Sequence, residues 1–381
     1  MSLQIREQIQ KEALDAVLPF RRAGLHVSMG VGKTYIGLQY ISKVGGKVLV
    51  VAPKVTIFKS WKDDAEKFGL SNLLKNITFS TYISLTKHDP NSYDLIVLDE
   101  AHNTKASHDL FLHMFGGRIL GLTGTPPKYK YGEKGMMMEE YYPIKYSYGV
   151  DDAVEEQILN DYRIFVHTMP LGIANNCLVG KGDKKFYTSE LKNYNWLAGE
   201  IEKALSEKQV FMKRIMQLNA LKQYKTKLNF AKFVMGKVAP DEKLLIFANT
   251  TEQAEEICSN SHHSKNSKKV NEDTLEAFAS GKITRLSAVE QLSEGVTIPH
   301  LKHILIMHSY GNEKKASQKI GRALRLNKDE VAHVHILCYK NTVDEHWVKK
   351  ALEDFDLDKV KWTNWDYQQG QYKRLQEKLL T

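Results

Sequence analysis

The sequence predicts an α/β protein of two lobes, each built on a parallel sheet, with a helical segment inserted before most of the second sheet. Three observations carry this. A chain of 381 residues exceeds one comfortable hydrophobic core. Short β-branched runs alternate with longer mixed segments towards both ends, as strands alternate with helices in a parallel sheet. Polar or proline-bearing residues follow those runs directly, at the C-terminal strand ends where open α/β sheets place their ligands.

Taken in order, residues 47–52 read as a buried strand stopped by Pro53, and 94–98 as another ending at Asp99-Glu100. A third run, 118–122, ends in Thr123-Gly124-Thr125-Pro126-Pro127. From 129 to 161 the pattern loosens, with Met136-Met137-Met138 and tyrosines among glycines, which marks the end of the first lobe and the crossing to the second. The expected lobes are 1–150 and 151–381. An isolated strand at 163–168 precedes a lysine-rich, helix-favouring stretch over 184–237, where Phe211, Ile215, Leu218 and Leu221 keep helical spacing. Strands resume at 243–247, 302–306 and 333–337. The tail, about 356–381, interleaves Trp362, Trp365, Tyr367 and Tyr372 with Lys361, Lys373, Arg374 and Lys378. Such a pattern suits base stacking, but a terminal helix docking its aromatic face on the second lobe is the favoured reading.

Lys and Arg number 54 against 45 Asp and Glu, a net charge of +9 that favours a polyanionic partner, nucleic acid first. Solubility alone explains such a charge equally well, so the motifs must decide. The three cysteines, Cys177, Cys258 and Cys338, are isolated and lack metal-ligand spacing. All three are expected to be small buried hydrophobes in a reducing compartment. No apolar run approaches a membrane span and the N-terminus lacks signal-peptide character, so a cytoplasmic protein without membrane contact is expected.

Three segments carry the chemistry. Gly30-Val31-Gly32-Lys33-Thr34 supplies what a phosphate loop needs: glycines for close backbone approach, an ammonium for the β and γ phosphates of ATP, and a hydroxyl for Mg²⁺. Val27 stands where the general pattern asks for glycine. Asp99-Glu100-Ala101-His102 closes a strand, with Asp99 suited to holding Mg²⁺ and Glu100 to orienting the attacking water. An Asp at a strand-to-helix turn also caps free amides, and Lys33 upstream favours the phosphoryl-transfer reading. Arg322 and Arg325, three apart on an expected helix, can present guanidinium groups to one face. Arginines brought from a second lobe neutralise transition-state charge, an effect worth about 10³ to 10⁵ in rate.

Together these segments resemble superfamily 2 helicases and translocases, particularly the DEAH-box branch near type I and III restriction motors, phage helicases and chromatin-remodelling ATPases. Met29 to Thr34 resembles motif I; Val51-Ala52-Pro53-Lys54, followed by Ser60-Trp61, motif Ia; and Phe79-Ser80-Thr81-Tyr82 motif Ib. Asp99 to His102 is similar to motif II and Leu122 to Pro126 to motif III. In the second lobe 245–248, 291–296 and 318–325 resemble motifs IV, V and VI.

The resemblance implies two tandem RecA-like P-loop domains and an ATP hydrolase working with Mg²⁺ on duplex, branched or single-stranded DNA, as a monomer. An RNA helicase rests on the same core and stays open, as does a non-enzymatic nucleic-acid scaffold, which the retained Lys33, Glu100 and arginines disfavour. By the same resemblance Met29 to Thr34 and Gly295 meet the nucleotide, and Gln318 and His102 link the ATP site to the lobe interface. Thr123 and Thr125 couple hydrolysis to nucleic-acid contact, while Lys54, Ser80, Thr81 and Thr250 lie toward the phosphate backbone. The family's adenine-reading glutamine is either Gln8 or Gln10, with Gln10 favoured because Glu12-Ala13 follows at the usual spacing.

Overall fold

The computed structural model describes residues 2–28, 30–127, 131–155, 161–180, 182–289, 298–308, 331–353, 355–368 and 371–373. The chain separates into two compact units, one running to Asp161 and the other beginning at Tyr162.

The first unit opens with α1 (Ser2–Val17), β1 (Arg22–Val27), α2 (Lys33–Val44), β2 (Val48–Ala52) and α3 (Thr56–Lys67). It continues through β3 (Ile77–Thr81), β4 (Leu95–Asp99), α4 (Asp109–Met114), β5 (Arg118–Thr123), α5 (Glu133–Tyr141), β6 (Ile144–Tyr148) and α6 (Val150–Glu155). The six strands form one sheet in the order β3-β2-β4-β5-β1-β6, and every neighbouring pair is parallel. Each residue of β2 and β4 is buried, the expected state of strands covered on both faces. Because the strands are parallel, the ends of β1, β4 and β5 emerge on one edge with β5 in the middle.

The segment 129–161, loosely patterned in sequence, supplies α5, the edge strand β6 and α6 to this unit. Met137, Met138, Tyr141 and Tyr142 pack there against Leu98, Ala101 and Phe111. Of the residues that obscured the pattern, Met137, Met138, Tyr141 and Tyr142 are core, whereas Met136 and Tyr131 are exposed.

The second unit has seven strands: β7 (Tyr162–Met169), β10 (Lys243–Ala248), β11 (Ser261–His262), β12 (Arg285–Val289), β13 (Leu301–Ile306), β14 (Ala332–Tyr339) and β15 (Val360–Asn364). Their order is β11-β12-β10-β13-β14-β7-β15, again parallel throughout. A small antiparallel hairpin of β8 (Cys177–Val179) and β9 (Phe186–Thr188) leads to α7 (Glu190–Glu202), α8 (Glu207–Gln223) and α9 (Lys225–Lys237). The helical stretch is therefore real but divided in role. Helix α9 is core, with Leu228, Phe230 and Val234 packed beneath the sheet. On α8 only Leu221 of the four spaced apolar residues is fully buried, whereas Phe211 is 63% exposed. Periodicity identified that helix without identifying a buried face.

Lys227, in the first turn of α9, is fully buried, ion-paired to the equally buried Asp344 and donating to the Met307 carbonyl at 3.0 Å. Asp344 also accepts the Tyr339 amide at 2.7 Å. A buried pair held this way fixes α9 and the helix Val343–Ala351 to the end of β14.

The tail requires a correction. Where described it holds no α-helix: after a single 3-10 turn at Leu357–Lys359, β15 joins the sheet edge beside β7, and Asp366–Gln368 pairs with Gln371–Lys373 as an antiparallel ribbon. Docking on the second unit is nonetheless found, since Trp365 is buried and packs on Phe230 and His167. The cysteines also divide: Cys258 and Cys338 are buried, as expected, but Cys177 is only half-buried. Among the described residues no helix is long and apolar enough to cross a membrane.

Candidate active site

β1 delivers the chain to the phosphate loop through Val27, a fully buried strand residue. Gly30 and Gly32 have φ of 92° and 108°, the left-handed region that side chains disfavour. Such turns gather amides into an anion-binding concavity. Gly32 caps α2, whose first turn adds unsatisfied N–H groups and the positive end of the helix dipole. The positive φ requires glycine at 32, and a Cβ there, 2.6 Å from Gln10 Nε2, would also displace the Gln10 amide. Lys33 Nζ donates to the Val27 carbonyl at 3.4 Å and lies 3.9 Å from Glu100 Oε1. Thr34, the next residue of α2, is half-buried.

Helix α1 braces this loop. Gln10 Nε2 donates to the Val31 carbonyl at 2.6 Å, and Arg6 Nε donates to the same oxygen at 3.0 Å. Burial pulls the Arg6 guanidinium below its ordinary value, opposed by the Asp64 carboxylate. Gln8 instead bonds Glu12 at an exposed position. Geometry thus separates two glutamines that the sequence left open, and brings in Arg6, which sequence reasoning missed.

Asp99 is the last residue of β4 and is buried. Its Oδ1 accepts the Glu100 amide at 2.9 Å, while Oδ2 accepts the Trp61 indole N–H at 2.8 Å. The Tyr82 hydroxyl donates to the Asp99 carbonyl at 2.9 Å, and burial holds that phenol well above its ordinary value, so it remains a donor. Glu100 adopts φ 49° and ψ 54°, a left-handed conformation that costs a side-chain-bearing residue about 1–3 kcal/mol. Asn103 Nδ2 secures the Glu100 carbonyl at 3.0 Å. The turn that follows is pinned at Ala101, whose carbonyl accepts from Thr104 and Tyr142 at 2.6 and 2.9 Å. Burial pushes the Tyr142 phenol up to about 12.

His102 Nδ1 is 3.0 Å from Thr123 Oγ1, 3.5 Å from Thr125 Oγ1 and 3.4 Å from Glu100 Oε2. Thr123 Oγ1 also accepts the Thr125 amide at 3.1 Å. The ends of β1, β4 and β5 therefore bring Lys33, Thr34, Asp99, Glu100, His102, Thr123 and Thr125 to one edge.

Other candidates stand apart. Lys54 is exposed just beyond β2. Ser80 is buried, its hydroxyl 2.9 Å from His88 Nε2, and Thr81 ends β3 half-buried. Thr250, in the second unit, accepts the Gln253 amide at 3.2 Å as the N-cap of α10 (Thr251–Ile257). Met29, Gly295, Gln318, Arg322 and Arg325 lie outside the described residues.

Two family models match the chain: the type III restriction enzyme res subunit over residues 3–128, and the helicase conserved C-terminal domain over 225–327. Each falls on one of the parallel-sheet units. The chain belongs to the superfamily 2 helicases. This superfamily 2 chain is 26% identical over 389 residues to the DNA 3'-5' translocase XPB2 of Sulfurisphaera tokodaii, covering 90% of itself and 84% of that relative. Among solved structures it resembles the ATP-dependent type ISP restriction-modification enzyme LlaBIII bound to DNA, with TM-score 0.62, 16% identity, and coverage of 94% of this chain and 31% of that one. The Hef helicase domain of Pyrococcus furiosus matches with TM-score 0.52, 16% identity, and coverage of 91% and 98%. The fold is thus a tandem of RecA-like domains, and the superfamily is one of ATP-hydrolysing helicases and translocases.

Proposed function

We propose that the protein is a DNA-stimulated ATPase that translocates along, remodels or unwinds DNA with little sequence preference. The carrying observation is the approach of Lys33 Nζ to Glu100 Oε1, 3.9 Å, beside the buried Asp99 at the end of a parallel sheet. DNA is favoured over RNA because the relative aligned with 90% of the chain is a DNA translocase.

The donors suit Mg²⁺-ATP. Among the described residues no cluster of three or more His, Cys, Asp or Glu side chains is placed to cage a metal. Mg²⁺ is a hard ion that takes one or two protein oxygens and completes its shell with phosphates and water, and a hydroxyl and a carboxylate are donors of that kind. Thr34 Oγ1 and an Asp99 carboxylate oxygen are the proposed ligands, and the bound ion neutralises phosphate charge. The loop amides and Lys33 hold the β and γ phosphates, and Gln10 reads adenine. Glu100 orients the attacking water and accepts its proton. His102, Thr123 and Thr125 relay the state of this pocket to the nucleic-acid side, where Lys54, Ser80, Thr81 and Thr250 meet phosphates. Arg322 and Arg325 stabilise transition-state charge, with Gln318 and Gly295 assisting at the nucleotide.

The test measures ATP turnover with duplex DNA, single-stranded DNA, forks and RNA. Wild-type turnover should rise with DNA more than with RNA, and Lys33→Ala should abolish it. No stimulation by any nucleic acid, together with unchanged turnover in Lys33→Ala, would sink the reading; stronger stimulation by RNA would redirect it.

A further inference from the structure

Resting on the reading of Asp99 as the Mg²⁺ carboxylate, we infer that Trp61 is a positioning residue that fixes this carboxylate and ties it to helix α3. Trp61 is fully buried and donates its indole N–H to Asp99 Oδ2 at 2.8 Å. Indole is a donor only, so this bond permanently assigns one face of the carboxylate. The Glu100 amide, 2.9 Å from Oδ1, engages the other oxygen. Held at both oxygens, the carboxylate cannot turn about its terminal torsion, which is otherwise soft. Its remaining lone pairs therefore have a set direction.

The indole is seated as firmly as the carboxylate. A Cβ on Gly37 of α2 would lie 2.6 Å from Trp61 Cη2 and 3.1 Å from a Leu122 methyl. Glycine at 37 is what admits the ring. Trp61 is in the second turn of α3, the helix that starts just after Lys54. A phosphate backbone gripped at Lys54 thus acts on the element that holds the metal carboxylate. One rigid turn of helix and one hydrogen bond give DNA a route to Asp99. An outer partner that orients a metal-ligating group typically governs affinity by about 10- to 100-fold.

Trp61→Phe keeps an aromatic ring and deletes the N–H. In full-length protein, binding of a fluorescent ATP analogue without Mg²⁺ should stay within about twofold of wild type. The Mg²⁺ concentration needed to reach the tight-binding state should rise by about tenfold or more, and the ratio of DNA-stimulated to basal turnover should fall. Gly37→Ala, which displaces the ring and leaves the indole intact, should shift the Mg²⁺ requirement in the same direction. In an Asp99→Asn background Trp61→Phe should add little, since both changes act on one interaction. An unchanged Mg²⁺ requirement in folded Trp61→Phe and Gly37→Ala overturns the inference, as does full additivity with Asp99→Asn. The broader reading fails separately, when wild-type turnover ignores nucleic acid and Lys33→Ala is silent.

Discussion

Gln8 and Gln10 are two residues apart on α1, which sets their side chains about 200° apart around the helix axis. Only one can face the phosphate loop, and Gln10 does, 2.6 Å from the Val31 carbonyl. Arg6, four residues earlier and so on the same face, shares that oxygen. Gln10→Ala should therefore weaken ATP binding by roughly tenfold, the effect of one lost buried hydrogen bond, while Gln8→Ala leaves it within about twofold. Titration with a fluorescent ATP analogue measures both, and equal losses would remove Gln10 from the nucleotide site. Motif spacing pointed to Lys33, Asp99 and Glu100 because phosphate and metal chemistry admits few residue types there, and the structure brings the three to one sheet edge. Arg6 and Tyr142 left no such trace, and Tyr82 entered only as the last residue of a nucleic-acid motif. An arginine on a helix and a tyrosine in a core are ordinary, and their roles arise only when the chain brings them to Val31, Asp99 and Ala101.

At the scale of the element, the sheet strands were legible because burial on both faces makes them continuous apolar runs. Strand β15 was not: Lys361 and Trp362 are exposed on a sheet edge while Thr363 is buried, so its residues alternate with polar ones. The strands also carry a device invisible in motif terms, a histidine row across β7, β14 and β13. His167 stacks on His335 at 5.4 Å and His335 on His303 at 5.9 Å. The Trp365 N–H is shared between His167 Nδ1 at 3.1 Å and Thr363 Oγ1 at 3.0 Å, and His167 Nε2 lies 3.1 Å from His335 Nδ1. This pattern needs neutral rings. Burial holds His167 down to about 3 and His335 well below its ordinary value. Burial also lowers His333, to about 4, and His303, with Lys302 reinforcing the effect at both rings and Glu242 opposing it. Unfolding lets these rings take up protons near pH 6.5, whereas in the folded state His333 does so only near pH 4 and His167 only near pH 3, and His303 and His335 are held below their ordinary value. The stability they contribute is thus whole above about pH 6.5 and declines as pH falls below it. Thermal unfolding followed from pH 7.5 to 5 should show a falling midpoint, and His167→Gln should flatten that slope. A slope unchanged by the substitution would assign acid sensitivity elsewhere.

For the whole molecule the relevant quantity is charge. A net +9 spread over two α/β units does not by itself distinguish a sticky protein from a nucleic-acid motor. The distinction lies in how binding depends on salt and sequence. Side chains that meet phosphates release condensed counterions, so the logarithm of affinity should fall linearly with the logarithm of salt concentration, by about 0.9 per phosphate neutralised on duplex DNA. Phosphate contacts carry no sequence information, so unrelated duplexes of equal length should bind within about threefold of one another, a spread far below that of site-specific binders. The same contacts should set turnover, because stimulation requires the bound state. Raising salt at saturating ATP should therefore raise the DNA concentration for half-maximal turnover with the binding slope, while basal turnover changes little. Lys54→Ala should lower that slope by about one phosphate's worth and leave nucleotide affinity in the absence of DNA unchanged. A strong preference for one duplex sequence, or a salt slope near zero, would mean that the protein reads bases or binds something other than a phosphate backbone.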